Sequence, residues 1–137
     1  MLHPAPAVES PPLTAARWLF GIAAAFNVAV GLSLLFLRPS LAPVLHLDPT
    51  TGTNLVLIDL VGGLIVLFGY AYARVAADPI RYRPFIHLGV IGKLIAVASA
   101  VTHWRAGQVF WALPLLASGD LAFVALFLLF LWRSRAR

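Results

Sequence analysis

Residues 54–73 read NLVLIDLVGGLIVLFGYAYA, a run with one charged side chain, Asp59, and no proline. At 1.5 Å per residue a helix of this length reaches about 30 Å, the thickness of the hydrocarbon core of a bilayer. A membrane β-strand would be about ten residues long and would alternate polar with apolar positions, and this run does neither. It therefore reads as a membrane-spanning helix with an ionisable group inside it.

Three more runs of similar length and composition occupy 18–37, 85–101 and 109–132. The expected fold is all-α: an integral membrane four-helix bundle. Composition agrees, since 61% of the 137 residues are hydrophobic and 11% charged, whereas about a quarter of a soluble domain is charged. Residues 1–16, with Pro4, Pro6, Pro11 and Pro12, are expected to form a flexible tail ahead of a single domain over 17–137. The tail lacks the basic start of a secretory signal, so the first span reads as a retained anchor.

Arg17, Arg74, Arg81, Arg83, Arg133, Arg135 and Arg137 flank the spans on one side, against Arg38 and Arg105 on the other. Basic residues favour the cytoplasmic face, so both termini are expected inside, in a plasma membrane or a bacterial inner membrane. Trp18, Tyr70, Tyr72, Tyr82, Trp104 and Trp132 fall near the predicted ends, where amphipathic rings favour the headgroup layer. The arginines are single residues at helix ends rather than a stripe on a soluble face, which argues against nucleic acid despite the formal charge of +5. The loop over 38–53 holds Pro39, Pro43 and Pro49. It is expected to rest on the bilayer surface, with Ser40 capping a short interfacial helix. The alternative is a lid over the outer mouth of the bundle.

Each span carries a strongly polar residue inside its apolar run: Asn27, Asp59, Lys93 and Asp120. A charged side chain at the centre of a membrane helix costs about 2.5 to 3.5 kcal/mol on the insertion scale, so these groups should face one another rather than lipid. Counted with alternating helix directions, Asn27, Lys93 and Asp120 lie near one depth and Asp59 somewhat outward, which predicts one polar layer. Small residues share the same faces: Ala23, Ala24 and Gly31 with Asn27, Gly62, Gly63 and Gly69 with Asp59, and Gly89, Ala96 and Ala100 with Lys93. Such faces suit close helix packing in lipid. On the fourth span Phe123 and Phe127 accompany Asp120. They are expected to line an apolar pocket beside it, with Pro114 bending the helix above.

Two aspartates and one lysine sum to minus one, which predicts an extra proton, a cation or a cationic ligand in the layer. The functions to weigh are then a proton- or ion-coupled transporter, a membrane-embedded isomerase or cyclase using aspartate acid–base chemistry on a lipophilic substrate, and an accessory subunit of a larger membrane complex. Four helices enclose little space, so a transporter is expected to work as a homo-oligomer. No cysteine is present, which excludes thiol redox chemistry and thiolate metal sites. His87 reads as interfacial, while His3, His46 and His103 lie in the tail, the outer loop and a helix end. Neither a metal nor another cofactor is expected.

Overall fold

A computed structural model describes residues 11–47 and 51–134. Five helices follow in order: α1 (Pro11–Phe36), α2 (Arg38–Leu45), α3 (Gly52–Ala77), α4 (Arg83–Arg105) and α5 (Ala112–Arg133). All except α2 are long and apolar enough to cross a membrane. The described part of the chain is all-helical, and α1, α3, α4 and α5 form a four-helix membrane bundle.

The helix ends follow local chemistry. α1 begins at Pro11, inside the segment expected to be a loose tail. Proline at a helix start loses no hydrogen bond, because the first N–H groups of a helix have no partner within it. Residues 1–10, Pro49, Arg135 and Arg137 lie outside the described residues. α3 stops at Asp78, whose Oδ1 accepts the N–H groups of Ile80 and Arg81 at 3.2 and 3.0 Å, with Pro79 between. α4 runs past its expected end at residue 101 and closes on Gly107, at φ 71. There the N–H of Gly107 donates to Trp104 O and that of Gln108 to His103 O, both at 2.9 Å, a Schellman ending. Pro114, expected to bend the fourth span, instead falls in the first turn of α5, where its missing N–H has no cost.

Helix directions alternate. Positions near Gly31 of α1 meet Gly62 and Val66 of α3, while Ala24 and Val28 meet Gly69, so the two run antiparallel. The α1–α3 contact is close: a Cβ on Gly31 would lie 2.7 Å from Gly62 O and 2.9 Å from Val66 N. Between α3 and α4, the ring of Tyr72 lies over Gly89 and that of Phe68 over Gly92. The faces expected to be small are buried at Ala23, Ala24, Gly31, Gly62, Gly69, Gly89 and Ala100, whereas Gly63 and Ala96 are exposed. Gly63 is rotated by one residue, about 100°, from Gly62, which takes it off the α1 face.

Both described ends of the long helices, at Pro11 and Arg133, lie at the end that carries Arg17, Arg74, Arg81, Arg83 and Arg133. The contiguous core also belongs to that half. Phe20, Tyr72, Val75, Ile86, Val90, Val124, Phe127 and Leu131 form it with three alanines of α1. In the other half the buried positions are small, Gly31 against Gly62 within the α1–α3 pair and Ala100 and Ala117 on α4 and α5. Large aliphatic side chains such as Leu57, Leu60, Leu64 and Leu67 of α3 face outward, as a lipid-facing surface requires.

α2 is the short helix expected in the first loop, but Ser40 does not cap it. Leu37 is the cap residue, no side chain caps the helix, and the Ser40 N–H donates to Leu37 O at 3.0 Å. At its far end His46 adopts a left-handed φ of 51, and its ring stacks on Phe110 with centroids 4.0 Å apart. α2 thus meets the segment before α5 through His46, while none of its own residues is buried.

Candidate functional site

Three of the four predicted polar residues meet. Lys93 is 5% exposed and Asn27 7% exposed. The lysine ammonium donates to Asn27 Oδ1 at 3.2 Å and forms an ion pair with Asp120 Oδ1. Asn27 Nδ2 in turn donates to the Ile65 carbonyl at 3.4 Å, so the cluster draws on all four long helices. Its composition follows from depth: each residue lies near the middle of its helix, and the small neighbours Ala23, Ala24 and Gly89 let the backbones close around it.

Aromatic rings complete the enclosure. Lys93 Nζ lies 5.8, 5.6 and 5.2 Å from the ring centres of Phe26, Tyr72 and Phe123, within range of a cation–π attraction. An ammonium has three donors; two serve Asn27 and Asp120, and the rings surround the remainder. The lysine is therefore satisfied by the protein alone. The aspartate differs, because its side chain remains 22% exposed beside a lysine at 5%. Of the two charges, the carboxylate is the more exposed.

Asp59 stands apart from this cluster. It pairs with Arg38, the first residue of α2, and the two side chains are 47% and 22% exposed. The single layer of four is thus a cluster of three and a separate pair. Asp59 is seven residues into α3, about 10 Å from the helix end. The chain turn at Leu37 brings the long arginine stem over it, in the manner of a snorkelling side chain. With Arg38 counted, the two aspartates face two cations. The net charge of minus one does not arise once Arg38 is included.

Phe123 and Phe127 touch rings rather than lining a hollow. Phe127 is fully buried, with centroids 4.7 Å from Phe20, 5.2 Å from Tyr72 and 6.0 Å from Phe123. Phe123 also meets Phe26 at 5.5 Å. The space expected as an apolar pocket on the inner side of Asp120 is filled by these rings. Among the described residues, no three His, Asp or Glu side chains come together as a metal site would need.

Phe26, Tyr72 and Arg38 were not among the predicted site residues. Tyr72 resembled a headgroup-layer aromatic because the predicted span ended at residue 73; α3 continues to Ala77, which carries Tyr72 a turn inward and leaves it fully buried. Tyr70, two residues farther from that helix end, is 59% exposed. The detectable signal for Tyr72 was its distance of three residues from Gly69, on the packed face of the helix. No family model, curated protein or solved structure matches the chain.

Proposed function

We propose that this chain sits in a plasma membrane or a bacterial inner membrane with both termini inside, and binds a proton or a small hydrogen-bond-donating ligand at Asp120 in the course of transport. Lys93 serves as a fixed counter-charge and Asn27 holds it in place. The observation that carries this reading is the asymmetry of the ion pair, a saturated lysine at 5% exposure beside a carboxylate at 22%. Ionisable groups inside a membrane mark proton and ion pathways more often than simple structure.

The bundle core is filled by Phe20, Phe127 and Tyr72, so a continuous pathway through one copy has no room. Transport then runs between copies, which is why a homo-oligomer belongs to the proposal. Acid–base catalysis by Asp120 on a lipophilic substrate is the weaker reading, because the rings expected to line a substrate pocket pack on one another. The accessory-subunit reading draws on a different observation: the ammonium is so fully enclosed that the cluster also works as a clamp between helices.

Liposomes carrying the purified protein and an internal pH dye, under an imposed potassium diffusion potential, distinguish these. Transport predicts proton flux above that of empty vesicles, lost in Asp120→Asn and kept in Asp59→Asn, which lies outside the cluster. Flux unchanged in Asp120→Asn contradicts the role of that carboxylate. Wild-type flux equal to that of empty vesicles rules out proton transport and leaves ligand binding or the accessory role.

A further inference from the structure

A second site lies at the arginine-rich end, on the outside of the α4–α5 pair. His87 of α4 and Leu128, Leu131 and Trp132 of α5 line an open groove of about 300 Å³, the lower end of the range for ligand sites. We propose that this groove binds an anionic phospholipid, with part of an acyl chain against the leucines and the indole and its phosphate at His87 and the neighbouring arginines.

Three of the four walls are apolar, and the polar one, His87, is exposed. Arg83 lies one turn before His87 on the same face of α4. Its guanidinium donates to Leu131 O at 3.0 Å and to Ser134 O at 3.3 Å. Leu131 is thus both a wall of the groove and an anchor for the arginine. Those two bonds also offset the partial negative charge of the α5 C-terminus, which would otherwise repel a phosphate. A guanidinium has five N–H donors, so three remain beyond these two bonds.

The surroundings are cationic. Arg133 is exposed next to Trp132, which is itself 70% exposed at the helix end, where an indole favours the headgroup layer. Arg17, Arg74 and Arg81 stand at the same end. The carboxylate of Asp78 is engaged by the turn that ends α3. An apolar wall under a set of arginines fits a molecule with an acyl chain and a net negative head, and basic recesses between membrane helices recognise such lipids.

Native mass spectrometry of the protein in an equimolar mixture of phosphatidylglycerol and phosphatidylcholine tests this. Each nearby arginine contributes about 1 kcal/mol toward an anionic head, so with Arg83 and Arg133 the wild type should retain phosphatidylglycerol about thirtyfold over phosphatidylcholine. Leu128→Trp fills the groove from a position already 48% exposed and should bring the ratio close to one, as should Arg83→Gln combined with Arg133→Gln, which removes the two nearest cations. Equal retention of the two lipids by the wild type, or a preference that both variants keep, would overturn the proposal. The readout is independent of Asp120, so it stands or falls apart from the transport reading.

Discussion

Asp120→Leu will destabilise the bundle by about 3 kcal/mol or more, the usual cost of leaving one member of a buried ion pair without its partner. The substitution strands the Lys93 ammonium at 5% exposure with Asn27 and three rings as its remaining neighbours. No water compensates it, because the surface around the bundle at this depth is lipid. Removing both charges in Lys93→Met with Asp120→Leu should recover most of the loss, since two apolar side chains of similar volume often replace such a pair at little cost. Lys93→Met alone should also be destabilising, because it leaves the Asp120 carboxylate without its cation. Unfolding in mild detergent titrated with sodium dodecyl sulfate gives all three values, and their non-additivity measures the coupling. If Asp120→Leu is as stable as the wild type, the aspartate is not what holds Lys93.

Gly31→Ala should lower stability by about 2 to 3 kcal/mol, the upper range for overpacking a tight contact. The added Cβ would fall 2.6 Å from Val66 Cγ2, 2.7 Å from Gly62 O and 2.9 Å from Val66 N. A side chain could rotate away, but the last two atoms are backbone, so α1 and α3 must separate along their whole contact. Gly63→Ala is the matched control: the same atom added one residue away from Gly62 meets nothing within 4 Å. It should leave stability unchanged or raise it by up to about 1 kcal/mol, because alanine is the better helix former. Equal losses at the two glycines would contradict the α1–α3 approach as the cause, since helix propensity alone favours alanine at both. The same denaturant titration reads both.

The four spans were legible because apolar runs of bilayer length have few other meanings. Asn27, Lys93 and Asp120 were legible as a cluster for a related reason: polar groups inside lipid must find one another, and depth can be counted along a helix. Asp59 misled that count. Its partner Arg38 resembled a loop residue, and only the turn at Leu37 directs it back over α3. Helix periodicity assigns a face within a half-turn, which is why Gly63 and Ala96 were grouped with their buried neighbours. Phe123 and Phe127 were correctly placed on the Asp120 side of α5. Whether rings on one helix line a hollow or fill it depends on Phe20 and Phe26 of α1, which no pattern within α5 reveals.

In the proposed function Asp120, set against a fixed Lys93, holds a proton or a small ligand. Native mass spectrometry of the protein extracted gently from its own membrane, together with Asp120→Asn, tests the ligand form of it most directly. The expected result is either a discrete small-molecule adduct that disappears in the variant, or a bare protein mass accompanied by proton flux that the variant abolishes. An adduct indifferent to Asp120, or a bare mass with no flux in the wild type, would contradict it and leave the cluster as a clamp between helices.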